Sequence, residues 1–70
     1  MTSEQFKSGR KSLGMTQFQM AQSLNLGPYG RKAIMRWESG VTPIPGAAQV
    51  AMRFMLRDAG IALELNNEGK

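Results

Sequence analysis

Helix breakers divide this chain more strictly than any other feature in it. Gly14, the run Asn25-Leu26-Gly27-Pro28, Gly40, the pair Pro43 and Pro45, and Gly60 recur along the sequence. Glycine and asparagine accept the left-handed backbone that ends a helix, and proline cannot continue one. Each piece between breakers has room for about two to four helical turns. The chain must therefore fold from short elements that stabilise one another, since isolated helices of this length are marginal in water.

Local signals assign most pieces to helix. Thr2 followed by Gln5 has capping-box spacing and predicts a first helix over about Ser3 to Ser12. Phe6 and Leu13 fall on one face, Gly9 is tolerated inside and Gly14 ends the helix. Thr16 and Gln19 repeat the capping box and open a second helix. Its inward stripe is read as Met20, Ala21 and Leu24, with Phe18 and Met15 closing its start. A third helix carries Arg31 to Ser39, with Ile34 and Trp37 facing inward. Its start has two readings, Pro28 as a first-turn proline or Gly30 as the cap. After the stiff connector Val41 to Pro45, a fourth helix runs from about Gly46 to Asp58. Ala47, Val50, Ala51, Phe54 and Met55 form its expected inward stripe, with Leu56 at the edge. Residues 61–65 alternate like a strand, but their length and surroundings favour a short fifth helix; 66–70 should fray. The expected class is all-α, with four or five short helices. Residues 1–58 form one domain, and residues 59–70 are a C-terminal helix or tail and a candidate dimerisation segment.

Composition narrows the chemistry. The 70 residues include no cysteine and no histidine, which removes disulfides, thiol nucleophiles, zinc fingers and imidazole acid–base catalysis. The five carboxylates show no metal-ligand grouping, so no enzyme, metal or cofactor is expected. No apolar run approaches the roughly 20 residues of a membrane span, and the N-terminus does not read as a signal peptide. The six methionines are expected as adaptable core or interface fillers. Charge is uneven. Residues 1–57 hold eight basic and two acidic side chains, a net +6, while residues 58–70 hold one lysine and three carboxylates, a net −2. A basic small domain suits a polyanionic partner.

The stretch Thr16 to Ser39 is where that partner would bind. It reads as a short helix, a compact turn, and a helix whose Arg31, Lys32 and Arg36 lie away from Ile34 and Trp37. A single helix fits the B-DNA major groove, about 12 Å wide. Thr16 and Gln17 stand at a helix start, where free N–H groups can meet phosphate.

These residues resemble the small helix-turn-helix domains of phage repressors and Cro proteins, found widely in bacterial regulators and antitoxins. The family pattern places an arginine in helix one, here Arg10. T-Q-x-x-x-A-x-x-L follows, here Thr16, Gln17, Ala21 and Leu24, and then I-x-x-W-E-x-G, here Ile34, Trp37, Glu38 and Gly40. Pro43 or Pro45 before an apolar helix is also similar, and the likeness covers about Phe6 to Leu56. The turn departs from the pattern: seven residues, Gly27 to Ala33, separate Leu26 from Ile34. The extra length is best placed at Gly27–Tyr29.

The resemblance implies a lambda-repressor-like fold and sequence-specific binding of double-stranded operator DNA by a cytoplasmic, nucleoid-associated regulator, most simply a repressor. It implies a phosphate contact for Gln17, an exposed start of the recognition helix for Gly30, Arg31, Lys32 and Ala33, and a DNA-facing position for Arg36. It also implies a salt bridge between Arg10 and Glu38. Tyr29, Met35, Thr42 and Lys11 are further candidates for the DNA face; Tyr29 either reaches phosphate or sugar or packs on the helix start. A homodimer on a pseudo-palindromic site is expected, joined by the C-terminal segment with help from Met52, Met55 and Leu56. No membrane or small-molecule ligand is expected. The alternative is an antitoxin-like or adaptor module that keeps the fold but binds protein.

Overall fold

The structure, a computed structural model, describes residues 1–61. Four helices follow one another: α1 Ser3–Ser12, α2 Gln17–Ser23, α3 Gly30–Ser39 and α4 Gly46–Asp58. No strand occurs among the described residues. The domain is small, compact and all-α.

Both capping boxes form. The Thr2 hydroxyl accepts from the Gln5 amide, and the Gln5 side chain accepts from the Thr2 amide. Thr16 and Gln19 do the same at α2. These reciprocal bonds satisfy N–H groups that a helix start leaves open. The exits follow the breakers. Gly14, Gly27, Gly40 and Gly60 all have positive φ, and Asn25 joins them at φ 55°. Asparagine tolerates that conformation better than other side-chain-bearing residues, which lets α2 stop at Ser23 and the chain turn at once. α3 begins at Gly30, one residue earlier than Arg31. Its N-cap is Tyr29, and no side chain caps it.

α3 is the central element and packs against both α1 and α2, while α1 also packs on α4. Phe6, Met20, Ile34 and Met52, one from each helix, are the large side chains wholly removed from water. Ala21, Trp37, Ile44, Ala48 and Leu56 complete the core. The Phe6 and Trp37 rings meet edge to face, with centroids 5.7 Å apart. Such a contact adds about 0.5–1.5 kcal/mol to simple burial.

Two inward stripes differ from expectation. On α4 the buried residues are Ala48, Met52 and Leu56, not Ala47, Val50 and Phe54, and only Ala51 and Met55 of the expected stripe are half-buried. At 100° per residue, α4 carries two apolar arcs. Turning the Val50–Phe54 arc inward would carry Arg57 and Asp58 toward the core, at high desolvation cost. The 48–52–56 arc borders only Gln49, whose side chain donates to the Ile44 carbonyl. On α2, Met20 and Ala21 are buried, but Phe18 is exposed. Phe18 sits about 100° around the helix from Gln17 and misses the strip that faces α3.

Residues 59–61 finish α4. Gly60 turns the chain, Ile61 donates its N–H to the Leu56 carbonyl at 2.9 Å, and its side chain packs against the core. The expected fifth helix or strand over 62–65, and the tail to 70, lie outside the described residues.

Candidate functional site

The exposed face of α3 follows from which residues its core consumes. Gly30, Ile34 and Trp37 are buried. By helical periodicity Arg31, Lys32, Met35, Arg36 and Ser39 then share the opposite arc, and all five are exposed. Three cations thus stand on one side of one helix. Lys32 and Arg36 are four apart and neighbours on that surface, where like charges repel. The first turn has no acidic residue, and the one carboxylate of α3, Glu38, is bound by Arg10 of α1.

Gly30 corrects one expectation. It belongs to the core, not to the exposed helix start. A Cβ built there would lie 2.6 Å from the Leu26 Cβ and 3.0 Å from the Ala21 Cβ. Glycine at 30 and alanine at 21 let α3 approach α2 closely. Gly30→Ala should therefore overpack this crossing and lower stability by about 1–3 kcal/mol, read as a shift of the urea midpoint with unchanged slope. A loss below about 0.5 kcal/mol would mean that the crossing can open freely.

Around this face the structure places the other candidates unevenly. Tyr29 is the N-cap residue of α3 and is 75% exposed, so it is not packed into the helix start. Thr42 lies just beyond the other end, half-buried, with its N–H 3.4 Å from the Arg36 carbonyl. Lys11 is exposed in the last turn of α1. Ser39, absent from the expected set, occupies the same arc of α3, and its hydroxyl donates to the Arg36 carbonyl. Its 180° position opposite Gly30 was the signal for it.

Behind the face sits a polar cluster that locks three helices together. The Arg10 Nε donates to Glu38 Oε2 at 2.7 Å, and its Nη2 to Glu38 Oε1 at 3.0 Å. The remaining arm, Nη1, donates to the Met15 carbonyl at 2.9 Å. Gln17 Nε2 donates to Glu38 Oε1 at 3.2 Å. The two charged side chains are 9% and 4% exposed. Every buried side-chain nitrogen and oxygen among the described residues has a partner. Arg10 serves this place because a guanidinium can grip a carboxylate with two bonds and a carbonyl with a third; lysine has no such fork. Gln17, expected to meet phosphate, uses one amide hydrogen on Glu38. Its other hydrogen and its carbonyl remain at the α2 start.

No family model, curated protein or solved structure matches this chain significantly. Its residues alone must carry the functional argument. Among the described residues no group of three side chains could hold a metal ion, and no helix is long and apolar enough to cross a membrane.

Proposed function

We propose that this chain is a sequence-specific double-stranded-DNA-binding transcriptional regulator that uses α2, the turn and α3 as a helix-turn-helix reader. One observation carries the reading. Arg31, Lys32 and Arg36 stand together on the outer arc of a helix whose inner arc is fully packed. Like charges clustered on one helix, with no acidic partner among the described residues, are costly without an anionic ligand and useful with one. α3, of 10 residues, is about 15 Å long and narrow enough for the major groove. Arg31 is assigned to a base edge, where guanine O6 and N7 accept its two-pronged donor. Lys32 and Arg36 are assigned to phosphate or base, and Gln17 to the backbone beside them. Tyr29 and Thr42, at the two ends of α3, are assigned to the flanking sugar-phosphate. One such module covers too little DNA for tight binding, so two copies on a pseudo-palindromic operator belong to the proposal.

Arg31→Ala should relax sequence preference by roughly tenfold to a hundredfold while lowering affinity for scrambled duplex only slightly. Selection of bound duplexes from a random pool, followed by titration of the best and a scrambled site at one salt concentration, measures both. Equal losses on the two duplexes would reduce Arg31 to a phosphate contact. No enrichment of any sequence would remove the function itself.

A second reading rests on Phe18, Tyr29 and Met35, three large apolar or aromatic side chains exposed on α2, the turn and α3. An adaptor that binds protein would use such residues. Duplex affinity that falls steeply with salt supports the regulator; salt-insensitive capture of a protein supports the adaptor.

A further inference from the structure

α4 leaves an apolar face uncovered. Val50 is 51% and Phe54 57% exposed. Being four residues apart they form a row along α4 that stands out as a ridge, and Arg53 and Arg57 stand beside it across a shallow depression that the four side chains line. Beyond the other edge lies an apolar groove of about 290 Å³, lined by Leu24, Leu26, Trp37, Pro45, Ala47 and Ala51. Ala47 and Ala51 sit one helical turn from Val50 and Phe54, so ridge and groove are continuous.

We propose that this face binds a second copy of the chain, in a two-fold pairing that seats Phe54 of each protomer in the groove of the other. The pairing deepens the two-copy part of the function proposed above by naming its surface, and it is tested without DNA so that the two can fail separately. An isologous interface requires one surface that carries both the projection and its receptor. Here a ring projects beside a groove whose α4 wall is alanine, small enough for a foreign ring to approach the backbone. Charge points the same way. Arg53 and Arg57 flank the ridge on the side away from the groove. A two-fold axis at the ridge–groove boundary therefore sends the arginines of the two copies to opposite rims, in water, with Asp58 at the exposed C-terminal end of the face, and leaves the centre uncharged, as interface centres generally are. The surface is modest. One face of α4, 13 residues and so about 20 Å long, and one groove of about 290 Å³ make a small contact beside the roughly 1,200–2,000 Å² that stable specific pairs bury. The dimer is weak in free solution and strengthened when one DNA holds both copies.

Met52 and Leu56 cannot serve this pairing, because the chain's own core encloses them; Met55 is half-buried against the same core. This corrects the supporting role expected of Met52 and Leu56; the C-terminal segment expected to join the copies lies largely outside the described residues.

The test is sedimentation of the full chain over a concentration series, with two sets of variants. The wild-type chain should pass from monomer to dimer. Phe54→Lys should weaken dimerisation at least ~30-fold while leaving unchanged the melting temperature of protein dilute enough to be monomeric, since this ring lies outside the core. The chain has no cysteine, so introduced thiols react only with one another. Oxidising an equimolar mixture of Phe54→Cys and Ala47→Cys chains should give mixed dimer well above the half that random pairing yields. The pairing is overturned if the wild type stays monomeric throughout, if Phe54→Lys dimerises normally, or if the mixed disulfide does not exceed the half expected from random pairing. It is also overturned if truncation after Ile61 creates the dimer, because the chain's own C-terminal segment would then be the occupant. Phe54→Lys should still bind a single half-site, so failure of DNA binding and failure of pairing remain distinct.

Discussion

Arg10→Met should cost about 3–5 kcal/mol of folding stability, enough to leave the domain barely folded. A 70-residue chain commonly has only about 3.5–10 kcal/mol in total, at 0.05–0.15 kcal/mol per residue. The substitution keeps much of the aliphatic stem but abandons three bonds: two to the Glu38 carboxylate and one to the Met15 carbonyl. Glu38 would keep a buried charge with the Gln17 amide as its remaining side-chain donor among the described residues. Glu38→Gln should cost less, about 2–3 kcal/mol, because an amide still accepts one of the arginine bonds. The double variant should lose far less than the sum, with a coupling of roughly 1–3 kcal/mol. High salt should rescue little, since ions screen buried pairs weakly. Urea unfolding of the four proteins of this cycle settles it. Additive losses would mean that the pair seen in the structure contributes nothing as a pair.

Phe6→Ala should be as damaging, at about 3–5 kcal/mol. The side chain is wholly buried, is shared between α1 and the core, and sits edge-on to Trp37. A chain this small cannot close the resulting void by collapse, because the remaining core side chains are already few. Phe6→Leu, which fills most of the space, should cost markedly less. The one tryptophan makes the measurement direct: Trp37 emission reports its own burial as denaturant is added. A loss under about 1 kcal/mol for Phe6→Ala would show that α1 is held by the Arg10 cluster and not by its aromatic contact.

The two effects explain how α1 positions the candidate site without forming part of its face. Phe6 presses on Trp37, and Arg10 grips Glu38, the next residue of α3. One contact is apolar and tolerant of small shifts, and the other is directional. Together they set both the distance and the rotation of α3, and so the direction in which Arg31, Lys32 and Arg36 point. Gln17 joins through Glu38, which ties the start of α2 to the same reference.

Much of this was legible in local sequence. The bounds of α1 and α4 follow from Thr2, Gln5, Gly14 and Gly60, and α2 from Thr16, Gln19 and Asn25. These signals act within a few residues, through caps and positive-φ turns, so no knowledge of the rest of the chain is needed. The exposed arc of α3 was legible too, because Ile34 and Trp37 leave it one apolar side. Arg10 and Glu38 stand 28 positions apart. Their pairing was expected only through a family resemblance, since no local rule joins them.

Tertiary structure alone decided three things. Periodicity showed two apolar arcs on α4, and the packed one was chosen by what borders it: Gln49 can be satisfied inside, whereas Arg57 and Asp58 cannot enter. Gly30 read as part of an exposed helix start, yet its burial depends on how near α3 comes to Ala21 and Leu26, a distance between elements that sequence spacing does not encode. Gln17 read as a free polar residue at a helix start, yet one of its hydrogens is held by a carboxylate from another helix. Caps and turns are set by neighbours along the chain, and therefore appear in the sequence. Which face is buried, which glycine is crowded and which amide is engaged are set by neighbours across space, and they exist only once the helices have packed.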